Sequence, residues 1–404
     1  MIKIPICIIW KSQNIQKLLH ILSTPVRSAR VIGGAIRNIM LGQPVNDIDI
    51  TTQLLPEEVM SLLKLNNIRC YATGIKFGTV TAIIDEEKFE ITTLRQDIQC
   101  YGRHAKVQFS NDYFEDAKRR DFTINALSYS LEKNLLYDYF NGLQDLKDRK
   151  VLFIGDSNIR IQEDVLRILR FFRFSSYYAR SIDQEGYQSC AKNAKSLTIL
   201  SKERIIQELN KIIVSPNAYR TLVKMVEINI THYIGLKLKL NLEIFKNIII
   251  IAQNKYILLN HAMLYSALLS GNVIQDLKAV LFNLRFSKAM IKKIVMLCTF
   301  LSECQSKNAI FLIRKYWAYG TDNINDYIDL ALLLECLSEK EANIVKQQVC
   351  KSRSKLPVNG YDLKELGLTK QDIQKTLLHL NDAWISSNFT LNKQELINLL
   401  KSWF

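Results

Sequence analysis

The chain predicts an α+β fold, with strands and short helices gathered in its N-terminal part and helices alone after them. Two observations carry this reading. Apolar, β-branched runs of strand length, such as Ile68 to Ala72, Thr79 to Ile84 and Phe89 to Leu94, lie before Asp156, with Gly74 and Gly78 punctuating them. From Asp156 to Leu356 there are one proline, Pro216, and four glycines, while apolar positions recur with helical period.

Composition narrows the function classes. The 404 residues suffice for more than one core. Hydrophobic residues at 48% and charged residues at 23% fit a globular chain, not a disordered one. A net charge of +15 suits a polyanion such as RNA, because neutralising phosphates releases counterions. The eight cysteines form no C-x-x-C pair, so a zinc site is not expected and the thiols read as reduced. No stretch of about 18 apolar residues lacks charge, so no membrane partner is expected and the expected location is cytoplasmic. Ile2 to Trp10 is apolar but short, with no small-residue cleavage site after it, so a signal peptide is not expected.

Taken in order, Lys11 to Leu22 reads as a lead-in helix ended before Pro25. The next stretch, Arg30 to Thr52, carries the densest chemistry. Val31 and Ile32 run into Gly33 and Gly34, then Arg37, a turn at Gly42 to Pro44, and an apolar run bearing Asp47 and Asp49. This reads as strand, tight turn, short helix, strand. Adjacent glycines let backbone N–H groups approach a phosphate. Residues i and i+2 of a strand share a face, so Asp47 and Asp49 project together. Two such carboxylates repel unless a cation sits between them, and hard oxygen donors suit Mg²⁺ bound jointly with substrate phosphates. Pro56 to Leu65 reads as a helix. In the strand F-E-I-T-T-L-R, Glu90 is a candidate third carboxylate.

Gln96 to Asn111 is polar and without clear period, and reads as a flexible loop over the site, with Gly102, Arg103 and His104 in it. In K-R-R-D-F-T-I-N-A-L, Arg119 and Arg120 suit triphosphate oxygens, since a guanidinium is planar and always charged. Asp121 can orient them, and Asn125 can bond a ribose hydroxyl or backbone. Tyr137 to Leu146 reads as strand, turn and short helix, with Asp138 and Asp145 structural.

A helix is expected from near Gln162, in E-D-V-L-R-I-L-R-F-F-R-F. Val165, Ile168, Leu169 and Phe172 form its core face. Asp164, Arg167, Arg170 and Arg173 sweep the opposite half, with Asp164 and Arg167 as neighbours. A carboxylate only accepts hydrogen bonds and a guanidinium only donates. Cytosine and adenine present an amino donor beside a ring-nitrogen acceptor, and guanine and uracil the reverse. One Asp beside one Arg therefore serves C and A and rejects G and U, whose polar groups would leave partners unpaired. Helical patterns continue to Leu337, and Pro357 to Leu380 reads as a turn, a short helix, a break at Gly367 and a further helix continued by Trp384.

Together these motifs resemble the class II tRNA nucleotidyltransferases, the CCA-adding enzymes and their sister bacterial poly(A) polymerases. The pieces are G-G-A-I-R-N, D-I-D-I-T-T, T-G-I-K-F-G-T-V-T, F-E-I-T-T-L-R, G-R-H-A-K-V, R-R-D-F-T-I-N-A-L and E-D-V-L-R-I-L-R-F-F-R-F, in family order from residue 30 to 174. N-G-Y-D-L-K-E-L-G-L and Trp384 look like the tail of the α-proteobacterial branch. The resemblance implies a nucleotidyltransferase head of mixed sheet and helices over 1–155, an α-helical neck with a nucleotide-recognition helix over 156–240, a helical body over 241–356 and an RNA-binding tail over 357–404. It implies addition of CCA to tRNA 3′ ends from CTP and ATP, by attack of the RNA 3′-hydroxyl on the α-phosphate with two Mg²⁺ ions. The implied partner surface is the tRNA 3′ end and acceptor arm.

Carried over, Gly34 and Arg37 contact the triphosphate, Asp47 and Asp49 hold the metals, and Arg120 contacts the nucleotide. Asp164 and Arg167 read the base, and Arg170 and Arg173 bind phosphate or base. One departure is Asn38, where the family usually has Asp; weaker orientation of Arg37 is the expected consequence. Poly(A) addition is the alternative activity, since it shares every catalytic motif. A catalytically silent RNA-binding chain is the alternative from another class, and retention of Asp47 and Asp49 argues against it.

Overall fold

The computed structural model describes residues 12–24, 26–45, 47–101, 104–304, 308–318, 324–351, 356–387 and 389–402. The apolar segment Ile2 to Trp10 lies outside them, as do Gly102 and Arg103. The chain forms two compact units, Met1–Gly235 and Leu236–Phe404.

The first unit begins with α1 (Gln13–Leu22), β1 (Ala29–Ile32), α2 (Gly34–Met40), β2 (Ile48–Thr52) and α3 (Pro56–Leu65). Three strands follow, β3 (Arg69–Gly74), β4 (Thr79–Ile84) and β5 (Glu87–Thr93). With β8 (Ser128–Ser130) and β9 (Leu135–Tyr137) they make a seven-stranded sheet in the order β3-β4-β5-β2-β1-β8-β9. Only β2 and β5 pair in parallel. Alternation places Val31, Ile50, Val80 and Ile91 on the buried face, packed with Leu18 and Leu22 of α1 and Val59 and Leu63 of α3. Each such burial stabilises by about 1.5–3 kcal/mol, more than a helix cap contributes, so the sheet rather than local turns fixes where β1 and β2 lie.

The expected loop from Gln96 to Asn111 is instead a two-stranded ribbon. β6 (Arg95–Tyr101) pairs antiparallel with β7 (His104–Phe109), from Arg95↔Phe109 to Tyr101↔His104. A ribbon outside the main sheet has no face that must be apolar, so its polar sequence shows no alternation to read.

α4 (Tyr113–Lys118) leads into the R-R-D segment, and α5 (Gly142–Lys147) follows β9 as expected. Gly142 is required by close approach, since a Cβ there would collide with the carbonyl of Thr123. Asp138 accepts the N–H groups of Phe140, Gly142 and Leu143, and Asp145 accepts the Thr123 hydroxyl at 2.7 Å, so both are structural.

The expected helix from Gln162 is two helices. α6 (Ser157–Glu163) ends at Asp164, whose backbone is extended at φ −147°, and α7 (Leu166–Tyr178) begins two residues later. The break arises because Asp164 turns its own carboxylate onto the N–H of Leu166 at 3.1 Å, a local bond that competes with the helix. Val165, Ile168, Leu169 and Phe172 are buried as the pattern requires. α8 (Gln184–Asn193), α9 (Lys202–Ile213), α10 (Ala218–Glu227) and α11 (Ile230–Tyr233) complete this unit.

The second unit is helical throughout its described residues. Its last part follows the expected order: a helix at Gly360–Glu365, Gly367 at φ +85°, then a helix at Lys370–Ser386. Trp384 packs there with Leu363, Leu380, Leu396 and Leu400. Among the described residues no helix is long and apolar enough to cross a membrane.

Candidate active site

The site is built where β1 ends. Gly33 takes φ +73°, a conformation closed to residues with a Cβ, and turns the chain from β1 into α2. The antiparallel register sets Ile32 opposite Asp49, and the parallel register sets Asp49 beside Glu90. Gly33 is therefore next to the carboxylates by strand pairing, not by chain proximity.

A cavity of about 650 Å³ opens here. Gly33, Gly34, Arg37, Asp47, Asp49, Arg120, Asp121, Asn125, Asp164, Arg167, Arg170 and Arg173 all line it. The sequence expectation thus lands on one wall-to-wall site, Glu90 excepted. Glu90 lines a neighbouring recess of about 380 Å³ with Thr79 and Arg95. Asp47 precedes β2 rather than lying within it, yet shares the cavity with Asp49.

The two sides of the cavity differ in how their charges are met. Among the described residues neither the Asp47 nor the Asp49 carboxylate makes a hydrogen bond or ion pair. Although Asp49 is exposed, partial desolvation by the surrounding protein pushes its carboxyl up; Arg120 offsets this and Asp47 adds to it. Burial likewise raises Glu90, and the negative charges of Asp49 and Asp47 push the same way. Two hard oxygen donors in one cavity, Asp47 and Asp49, fit a divalent cation. The described residues hold no cluster of three metal-ligating side chains, so the protein alone does not complete a coordination shell. Asp47 and Asp49 would hold Mg²⁺ with substrate oxygens filling the remainder.

The same cavity carries seven arginines, at positions 37, 119, 120, 167, 170, 173 and 204. Most are held by buried acids. Asp116, fully buried, accepts Arg119 at 2.7 Å and Arg120 at 3.3 Å. Asp121 therefore does not orient Arg120, as the sequence suggested. It accepts Arg170 at 2.6 Å, the Asn125 amide at 3.0 Å and the Phe122 N–H at 2.9 Å. Burial alone would raise Asp121, but Arg170 and these hydrogen bonds hold it down to about 2.

Asn125 is occupied on both sides, donating to Asp121 and accepting from Arg37. It joins the two while still lining the cavity. Arg37 also donates to Asn38 Oδ1 from Nε at 3.3 Å and Nη2 at 3.1 Å. Asn38 is thus a neutral acceptor for Arg37, itself anchored by its amide on the Pro44 carbonyl at 3.1 Å. Burial lowers the Arg37 guanidinium, and Tyr178 counteracts it.

Asp164 and Arg167, expected as neighbours on one helix face, each bond to a different partner. Asp164 accepts Arg204 of α9 at 2.9 Å, while Arg167 donates to Glu163 at 2.5 Å and to the carbonyls of Arg160 at 2.7 Å and Arg119 at 3.0 Å. The helix break explains this, since it takes Asp164 off the face that Arg167 occupies. Both still line the cavity, so each can meet a ligand independently.

Sequence reasoning missed Asp116, Glu163, Arg204 and Tyr178. Tyr178 sits under Arg37 at 4.3 Å from its ring centroid and brings its hydroxyl to Asn38 Oδ1 at 3.4 Å. Its position one turn after Phe174 was the available signal. Asp116 offered only its helical spacing to Arg119 and Arg120, and Arg204 gave no signal, because it reaches the site from α9.

Residues 29–152 match a family model described as the Poly A polymerase head domain. Residues 181–238 match one described as a probable RNA and SrmB-binding site of polymerase A. A zebrafish (Danio rerio) protein, CCA tRNA nucleotidyltransferase 1, mitochondrial, is 34% identical over 92% of this chain and 86% of its own. The CCA-adding enzyme of Staphylococcus epidermidis is 29% identical over 91% and 92%. The crystal structure of the Bacillus stearothermophilus CCA-adding enzyme in complex with CTP superposes with a TM-score of 0.76 at 23% identity, covering 96% of this chain and 98% of that one.

Proposed function

Because the chain belongs to the CCA-adding tRNA nucleotidyltransferase family, we propose that the cavity beside Gly33 is where it joins nucleotides to tRNA. The enzyme adds CCA to tRNA 3′ ends from CTP and ATP, releasing pyrophosphate. The observation that carries the site assignment is the pairing of two partnerless carboxylates with an arginine wall across one cavity.

In this reading the arginines receive the triphosphate. Arg37 and Arg120 are held in place before substrate arrives, so little reorganisation is needed on binding. Arg170 and Arg173 carry phosphate or base contacts from α7. Bound Mg²⁺ supplies activation of the 3′-hydroxyl and charge neutralisation at the pyrophosphate. Glu90 stands beside Asp49 and adds negative potential for that cation.

Asp164 and Arg167 read the base. The carboxylate accepts the amino group of C or A, and the guanidinium donates to the ring nitrogen. No RNA template is needed for that choice. Asn125 and Asp121 act as positioning residues, through Arg37 and Arg170.

We assign the enzyme to the cytoplasm; fractionation of cells expressing a tagged chain tests this against the mitochondrial location in the zebrafish relative's name. The activity is tested by incubating the enzyme with tRNA lacking its 3′ end and each labelled nucleotide. Two C additions followed by one A is the expected product. Long A tracts would instead assign poly(A) synthesis, the activity named in the matched head-domain model.

A further inference from the structure

The stretch T-G-I-K-F-G-T-V-T, Thr73 to Thr81, takes no part in the cavity described above. It builds most of the neighbouring recess, lined by Thr73, Gly74, Phe77, Thr79, Glu90 and Arg95. The sheet sets cavity and recess side by side. In the order β3-β4-β5-β2-β1, β2 with Asp49 has β1 and its glycine turn on one flank, and β5, β4 and β3 on the other. Register places Asp49 beside Glu90, and Glu90 beside Thr81. Residues directly opposite in a ladder share a face, so a polar row runs outward from Asp49. The Thr81 hydroxyl meets that of Thr73 at 2.8 Å, which carries the row to the edge strand.

Displacement at phosphorus needs the attacking and leaving oxygens roughly in line. The arginines assigned to the triphosphate share a cavity with Gly33 and Gly34, on the β1 flank. The attacking hydroxyl therefore arrives from the other flank of Asp49, where the recess lies. Its chemistry suits a ribose. Thr79 and Thr92 pair their hydroxyls at 3.2 Å, as Thr73 and Thr81 do at 2.8 Å. A hydroxyl carries one O–H and two lone pairs, so each pair spends one O–H and keeps one for a ligand. The Glu90 carboxylate makes no hydrogen bond or ion pair among the described residues, and it only accepts. Arg95 adds a guanidinium, held by donation to the Phe77 carbonyl. The recess measures about 380 Å³, near the lower end of about 300 Å³ for ligand pockets, which is room for one nucleotide unit.

We propose that this recess seats the 3′-terminal nucleotide of the RNA acceptor. Its 2′-hydroxyl lies among Thr73, Thr79 and Glu90, its phosphate meets Arg95, and its 3′-hydroxyl faces the cation held by Asp47 and Asp49. The 2′-hydroxyl is the group that tells RNA from DNA. The recess therefore makes the enzyme select an acceptor that ends in ribose, a choice that rests on the transferase reading above.

The test uses the full chain with Mg²⁺ and two acceptors: tRNA lacking its CCA end, and the same tRNA with a 2′-deoxy terminal nucleotide. The wild type is expected to lose about tenfold in kcat/KM for the deoxy acceptor. Thr73→Val with Thr79→Val removes both hydroxyls and keeps the β-branched shape. It is expected to lower kcat/KM for the ribose acceptor about five- to tenfold and to shrink the deoxy penalty to about twofold. Structural damage alone would cost both acceptors alike and leave the penalty in place. Thr73→Phe fills the recess. It is expected to lower kcat/KM for tRNA at least about tenfold, with CTP affinity in equilibrium dialysis within about twofold of wild type. Where Thr73→Phe also loses CTP affinity, the valine variant decides.

Equal use of the two acceptors by the wild type overturns the proposal. So does a deoxy penalty that Thr73→Val with Thr79→Val leaves in full, and so does undiminished use of tRNA by Thr73→Phe. If the wild type adds CMP to neither acceptor, the transferase reading itself fails and the subsite falls with it.

Discussion

The two walls of the cavity are built on opposite plans. On the β2 side, Asp47 and Asp49 stand without protein partners, and their repulsion is left in place. On the α7 side, Arg119, Arg120, Arg170 and Arg173 are each bound to a buried acid, Asp116, Asp121 or Glu208. The difference assigns the two sides to different stages. The arginine wall is arranged during folding, and its ion pairs serve stability and position together. In the proposed reading the carboxylate wall is completed only when a cation arrives, so its energy appears on binding.

The sharpest way to break this contrast is to remove one member from each wall. Asp49→Ala is expected to lower CMP addition by at least about 10³-fold, with tRNA affinity and melting temperature unchanged or the latter slightly raised. Single-turnover assays and a thermal melt read both effects. Asp116→Ala should do the reverse. It strands two arginines beside a fully buried position, and a loss of about 3–5 kcal/mol in a denaturant titration is expected, with activity falling because the wall disorders. A variant with normal stability would show that the arginine wall is not an element of the fold.

Base choice sharpens the comparison further. The structure argues against testing it by exchanging the charges of Asp164 and Arg167, because each faces a partner of its own, Arg204 and Glu163. Exchange would set like charges together at both places. Asp164→Asn keeps the shape and replaces a pure acceptor with an amide that also donates. Discrimination against GTP and UTP is expected to fall by about 10–100-fold, measured as the ratio of kcat/KM values. The smallest effect concerns Asn38. Asn38→Asp would charge the acceptor of Arg37, and a gain of about two- to fivefold in kcat/KM, equal for CTP and ATP, is expected from the stronger bond. A gain for one nucleotide alone would place Asn38 in base reading instead.

How much of this was legible in the chain depended on whether the cause was local. The G-G turn, the D-x-D pair and the amphipathic face of α7 each rest on neighbours in sequence, and the structure brings them to one cavity, with Asp47 just ahead of β2 rather than in it. Asp164 misled because its helical spacing was real while its side chain favoured a competing turn with Leu166. Gln96 to Asn111 misled because a two-stranded ribbon without a covering layer carries no hydrophobic alternation. The clamp on Arg119 and Arg120 by Asp116 was nearly visible, at helical spacing, but nothing marked that acid as fully buried. Arg204 reaches Asp164 from forty residues away, and such a contact has no signature in one sequence.

The central claim is that Asp49 and its neighbour await a cation. Partial desolvation and the charge of Asp47 raise the Asp49 carboxyl in the folded state, so without metal its contribution to stability is present at low pH and is lost as pH rises through that raised value. The most direct measurement is a Mg²⁺ titration of melting temperature for the wild type and Asp49→Ala, below and above the ordinary carboxylate range. The wild type is predicted to gain several degrees with Mg²⁺ at the higher pH and little at the lower, and Asp49→Ala to gain at neither. An equal Mg²⁺-dependent rise in both proteins at the higher pH would contradict the account.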